Sequence, residues 1–242
     1  MKTTATAALA LLALSGAAQA HQIWIEQAPG QNAVIRFGEF GDNLREASPG
    51  LLDKMGAPSA TLVSAKGEQR AEGVKTAAGF TLPFTAGGTD TVVAEDAKYP
   101  LFKSKQGDKE LVNRYYPSAR WVSGFAAQAP KLAFDLVPAG QPGAFQLYFQ
   151  GKPLPKTKVA LVTQSGWAKE KQTDEHGMVT FDMPWKGAYV AEASHKEQTP
   201  GERQGANGPE RFTGVSYVTT LTLVKPDGIE PLPAGPAATP NK

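Results

Sequence analysis

His21-Gln22-Ile23-Trp24-Ile25-Glu26 is the stretch that sets the fold. Apolar residues recur there with a period of two, which places Ile23 and Ile25 on the face shared with His21 and turns Gln22, Trp24 and Glu26 the other way. That is the pattern of a strand. Ala33 to Phe37, Ala60 to Ser64, Gly79 to Phe84 and Thr89 to Glu95 continue the series, with Gly or Pro between them. Further along, Leu132 to Val137, Ala144 to Phe149, Lys158 to Thr163, Met178 to Met183, Ala188 to His195 and Val215 to Val224 read the same way. The expectation is an all-β chain of two antiparallel β-sandwich (Ig-like or transthyretin-like) domains.

Two stretches resist this reading. Asn43 to Met55 scatters Leu44, Leu51 and Leu52 among charges around Pro49-Gly50, which suits a loop or one helical turn. Tyr99 to Ser123 is polar and aromatic by turns, a long excursion that ends in a strand. Ala139-Gly140-Gln141-Pro142-Gly143 looks like a domain boundary. Lys196 to Gly214, rich in Gly, Pro and charge, reads as a mobile loop. The expected organisation is therefore a signal peptide over 1–20, an N-terminal sandwich over 21–138, a C-terminal sandwich over 139–224, and a disordered Pro/Ala-rich tail over 225–242.

The leader consists of Lys2, a short apolar run from Ala7 to Leu14, and a small-x-small site at Ala18-Gln19-Ala20. The run is shorter than the roughly 20 apolar residues that a bilayer span needs. Cleavage after Ala20 would export the chain to the periplasm with His21 as its first residue. Of the 242 residues, 222 would remain, enough for a substantial hydrophobic core. The formal charge of +2 falls to +1 with the loss of Lys2, so no basic field favours nucleic acid or anionic lipid. With no cysteine, an exported chain must hold together by packing alone.

A mature amino-terminal histidine offers its α-amine and its imidazole to one ion. A second imidazole would complete a three-nitrogen site, a histidine brace, suited to Cu(II), Ni(II), Co(II) or Zn(II), with copper favoured by the Irving–Williams order. His195 is the better second ligand, because it shares an inward face with Tyr189, Ala191 and Ala193. His176 lies in the polar hairpin tip Thr173-Asp174-Glu175-His176-Gly177 and reads as surface. The metal residues expected are thus His21 and His195. Ligand nitrogens must be deprotonated, so affinity should fall below an ordinary imidazole pKa of about 6.5.

Other chemistry finds little footing. No cysteine nucleophile, Gly-rich phosphate loop or Gly-x-Ser-x-Gly elbow is present. The acidic pairs Glu39 with Asp42 and Asp174 with Glu175 could serve as general acid and base, but solvated turn charges are the commoner use of such pairs. Trp24, Trp121, Trp167 and Trp185 suit sandwich cores and rims as well as sugar stacking.

Phe37-Gly38-Glu39-Phe40, Leu44-Arg45-Glu46, Gly50-Leu51-Leu52-Asp53-Lys54, Leu136-Val137-Pro138 and Gly151-Lys152-Pro153-Leu154, with Thr173-Asp174 and Gly177 before the strand ending in His195, carry a further signal. In these residues the chain resembles a periplasmic family of unknown function associated with nickel or cobalt uptake (NikM-like). Its second half is similar to the carboxypeptidase-regulatory or transthyretin-like sandwich. Members of the uptake family often begin, after the leader, with a histidine near an aromatic, as His21 and Trp24 stand here. The resemblance implies a non-enzymatic accessory protein of a metal uptake system that holds a divalent transition-metal ion (Ni, Co or Cu) and works with a membrane metal transporter or an outer-membrane receptor. Full uptake components carry transmembrane helices, and this chain lacks them, so transport would lie with other proteins. Two alternatives remain open: a copper-dependent polysaccharide monooxygenase, which needs a flat aromatic face around the ion, and a metal-free receptor-associated binding module.

Overall fold

Alternation in Gln22–Glu26 yields a strand buried on both faces. In the computed structural model, which describes residues 21–241, Ile23 and Ile25 enter a core with Phe37, Leu52, Phe80 and Trp121. Trp24 points away from them into a second cluster with Phe40, Val162 and Val190. Burying a side chain such as Ile23 or Ile25 contributes about 1.5–3 kcal/mol relative to leaving it in water. The expected leader, residues 1–20, lies outside the described residues.

The described chain is all-β apart from one 3-10 turn, Leu51–Lys54. A five-stranded sheet runs in the order Gln22–Glu26, Val34–Glu39, Gly79–Thr81 and Val74–Thr76, with Leu44–Arg45 also paired to Val34–Glu39. A nine-stranded sheet forms the centre, in the order Ala168–Gln172, Lys158–Val162, Gly187–Glu197, Gly214–Lys225, Lys109–Val122, Thr91–Glu95, Ser59–Ser64 and Gly67–Glu72, and Phe102–Gln106 pairs with Lys109–Val122. The third sheet has four strands: Phe134–Pro138, Ala144–Phe149, Lys152–Pro153 and Met178–Thr180.

Alternation along the central strands sorts the layers. Tyr115, Ala119, Trp121 and Val218 face the core shared with the five-stranded sheet. Val122, Tyr189, Ala191, Leu221 and Leu223 face the other way, onto Phe134, Leu136, Phe145 and Leu147 of the four-stranded sheet. The smaller sheets thus cover opposite faces of one central sheet. Strand Gln22–Glu26, at the rim of its sheet, turns carbonyls toward the central layer: Thr220 Oγ1 donates to Ile23 O at 2.7 Å, and the Tyr115 hydroxyl donates to His21 O. Side-chain hydroxyls thereby satisfy an edge that would otherwise be bare.

The halves of the chain meet inside that central sheet. Lys109–Val122 and Gly214–Lys225 pair in parallel from Asn113↔Gly214 to Val122↔Leu223. Residues 139–143, read from sequence as a boundary, are instead the turn between Phe134–Pro138 and Ala144–Phe149, which pair antiparallel. Gly143 has φ 78, and a Cβ there would sit 2.0 Å from Phe181 O, so this turn requires glycine. The segment expected to be a mobile loop holds a hairpin, Gly201–Gly205 with Gly208–Phe212. The unassigned excursion 99–123 supplies Phe102–Gln106 and the long strand Lys109–Val122.

The tail, expected to be disordered, lies against the body over residues 226–241. Ile229 makes a bridge to Trp185, Gly235 N–H donates to Gln164 O at 3.2 Å, and Ala238 N–H donates to Asn43 O at 3.3 Å. Prolines 226, 231, 233, 236 and 240 already restrict its backbone, so docking it costs less conformational entropy than docking an ordinary segment.

Candidate metal centre

Register places three side chains together at one corner of the five-stranded sheet. Gln22 pairs with Gly38, so His21 comes level with Glu39 at the end of the neighbouring strand. On the far side Gly38 pairs with Arg45, and Glu46 N–H donates to Phe37 O at 2.8 Å, which brings Glu46 alongside. Gly38 permits this crowding. Its φ is 141, and a Cβ would meet Leu44 O at 2.4 Å.

The His21 ring is held on both sides. Nε2 lies 2.6 Å from Glu46 Oε1, and the Glu46 side chain has no exposure. Asn241 Nδ2 and Asn241 N–H also donate to the Glu46 carboxyl, at 2.6 and 2.8 Å, so the tail closes over this buried group. The Phe37 ring packs against the imidazole at a centroid distance of 5.2 Å. A carboxylate can only accept, so Nε2 carries a proton and donates it to Glu46. Nδ1 is left facing Glu39 Oε1 at 3.4 Å, a buried oxygen that makes no hydrogen bond.

Glu39 belongs to a wider carboxyl group. Burial pushes its pKa up, the Asp42 carboxyl beside it adds to the rise, and the charge of His21 opposes both. Glu192, reaching in from Gly187–Glu197, accepts from Gln22 Nε2 at 2.5 Å. Its pKa is raised to about 7 by burial first, then by the charges of Glu39 and Asp42. A folded-state pKa above the unfolded value means that the folded protein binds the extra proton. The associated stability is fully present below the unfolded value of 4.5 and is lost as pH rises through about 7. Replacing Glu192 by Gln removes the cost of ionising a buried carboxyl. In metal-free buffer the variant is expected to be more stable than the parent by up to about 3 kcal/mol near pH 8, and almost unchanged near pH 4. Urea unfolding at the two pH values checks this, and a variant no more stable near pH 8 contradicts it.

The structure does not bring His195 to this corner. Its ring lies 4.6 Å from the Phe149 ring and 6.1 Å from the Phe134 ring, centroid to centroid, within the layer under the four-stranded sheet. Its strand neighbours Tyr189, Ala191 and Ala193 share that layer, as their alternation indicated. His21 stands on the opposite face of the central sheet, against Phe37 and Tyr115. The two imidazoles expected to share an ion are therefore separated by a sheet. His176 is exposed at the hairpin tip, where its N–H donates to Asp174 Oδ1 at 2.8 Å.

Glu46 and Asn241 escaped the reading of sequence as ligand supports, and Glu39 entered it only as a turn charge. A usable signal was the spacing of Glu39 and Glu46 about Phe40 to Arg45, which a tight strand return folds back onto the His21 end. Asn241 offered none. Among the described residues no three His, Cys, Asp or Glu side chains converge on one metal position.

No curated protein and no solved structure matches the chain. The family described as "Domain of unknown function (DUF4198)" matches residues 18–197. That match covers well over half of the sequence, and the chain belongs to that family.

Proposed function

We propose that the protein is a periplasmic accessory of a metal uptake system that holds one divalent transition-metal ion at His21 after cleavage behind Ala20. The donors in this reading are the α-amine of His21, its Nδ1 and the Glu39 carboxylate. His195 takes no part. One observation carries the proposal: Nε2 is tied to the fully buried Glu46 while Nδ1 faces a buried Glu39 oxygen that has no hydrogen-bond partner. Metal-bound histidines are commonly oriented by donating their second ring N–H to a carboxylate, which also makes the other nitrogen a better ligand. The amine and Nδ1 of one residue close a chelate ring, and the carboxylate completes a set suited to Ni(II), Co(II) or Cu(II). The resemblance to the uptake-associated family supports the same reading. In that likeness, the layer built by Phe134–Pro138 and Ala144–Phe149 on the central sheet is the carboxypeptidase-regulatory type of sandwich. The ion would then pass to a membrane transporter or an outer-membrane receptor.

Calorimetric titration of Ni(II) and Cu(II) into the chain that begins at His21 tests the proposal. Glu46→Gln is expected to weaken binding by about 10–100-fold, the usual cost of losing an orienting carboxylate. His195→Ala should leave affinity within about twofold, since a residue outside the ligand shells contributes little. Lowering the pH from about 7.5 to about 5.5 should weaken binding, because protons compete for the amine, the imidazole and a Glu39 carboxyl whose pKa is already raised. A dependence on His195 equal to that on Glu46 overturns the assignment.

A further inference from the structure

A cavity of about 730 Å³, with His21 itself in its lining, lies between the two larger sheets and the Phe102–Val112 hairpin. Pockets of this size are typical of small-molecule sites. The inner wall is aromatic: Phe37 and Tyr99 rings stand 6.0 Å apart, and Tyr99 meets Tyr115 edge-on at 4.9 Å. Leu111, Val215 and the part-exposed Phe102 extend the apolar lining toward solvent. The polar groups of the mouth have one dominant sign. Lys105, Lys109 and Lys196 line it against a single carboxylate, Glu197. Among the described residues none of these three lysines has an ion-pair partner, whereas Lys103 in the same hairpin is paired with Glu110 at 2.9 Å.

We propose that this cavity binds an amphipathic organic monoanion, a medium- or long-chain aliphatic carboxylate, with the chain against Phe37, Tyr99 and Tyr115 and the head group among the three lysines. An apolar wall of this extent favours a ligand that removes it from water. Three ammonium groups against one carboxylate in the lining select the sign of the head. Neutral apolar compounds would gain the wall and forgo the lysines. Short hydrophilic anions would do the reverse. The site does not depend on any metal ion.

The test uses the chain beginning at His21 in metal-free buffer, with 1-anilinonaphthalene-8-sulfonate as the fluorescent probe and dodecanoate and dodecanol as competitors. Dodecanoate is expected to displace the probe at one equivalent per chain, and dodecanol to compete at least about tenfold more weakly, the combined worth of a few solvent-exposed charge contacts. The triple variant Lys105→Gln, Lys109→Gln, Lys196→Gln should lose about tenfold in dodecanoate affinity and leave dodecanol unchanged. The comparison of the two head groups on the parent protein decides the matter even if the variant folds poorly. Failure of dodecanoate to displace the probe, equal competition by dodecanol, or an unaltered dodecanoate affinity in a folded triple variant overturns the proposal.

Discussion

Asp135→Ala will lower the free energy of unfolding by about 3–5 kcal/mol, the cost of stranding a buried charge. Its partner Arg120 is 1 % exposed, Asp135 is 0 % exposed, and the two meet through Nε to Oδ1 at 3.0 Å and Nη2 to Oδ2 at 2.5 Å. The Asp135 carboxylate also accepts from the backbone N–H groups of Lys131 and Leu132, at 2.7 and 3.1 Å. Arg120 Nη1 donates to Gln128 Oε1 at 2.6 Å, and Gln128 Nε2 donates to Thr91 Oγ1 at 2.8 Å. The network ties the four-stranded sheet and the segment before it to the middle of the central sheet. Removing the carboxylate leaves a guanidinium with no compensating charge and frees two backbone donors. By contrast, Arg120→Met with Asp135→Leu removes both charges and should recover part of the loss, because the stranded guanidinium is gone while the Lys131 and Leu132 N–H groups stay without the carboxylate. Urea unfolding measures both, with the slope against denaturant held as the control for a two-state change. A loss below about 1 kcal/mol for Asp135→Ala would show that solvent or another group satisfies Arg120.

How much of the architecture could be read from the chain depends on what each strand buries. Gln22–Glu26 and Gly187–Glu197 were legible because Ile23 and Ile25, and Tyr189, Ala191 and Ala193, stand two residues apart on one face of each strand, and period two is the signal. Ala168–Gln172 is exposed along its whole length and Gly67–Glu72 almost so, so neither alternates and neither was found. The hairpin Gly201 to Phe212 does alternate in burial, but apart from Phe212 its inward positions are Gly, Arg and Glu, so no apolar period marks it. Gly140 and Gly143 gave a true turn signal, but a turn inside a hairpin and a linker between domains use the same residues. The parallel pairing of Lys109–Val122 with Gly214–Lys225 joins segments about a hundred residues apart, and nothing local in either strand encodes it. At the candidate site, alternation assigned His195 to the face of Tyr189, Ala191 and Ala193 correctly, yet a face does not name the layer that covers it. That layer brought Phe134 and Phe149, not His21.

Extending the mature chain by one residue, so that it starts at Ala20, will weaken Co(II) binding by about 100-fold or more. Losing an orienting group alone costs about 10–100-fold, and a donor in direct contact with the ion should cost at least as much. The reason lies in the donor set. In the proposed donor set the α-amine is the third partner, beside Nδ1 and the Glu39 carboxylate that faces it at 3.4 Å. An added residue turns that amine into an amide nitrogen, which Co(II), unlike Cu(II), does not deprotonate near neutral pH, and leaves His21, Glu39 and Glu46 otherwise unchanged. Side-by-side titration of the two proteins, with each amino terminus verified by mass, is the most direct measurement. Tight one-to-one binding only when His21 is the first residue agrees with the account, and equal binding by both forms contradicts it.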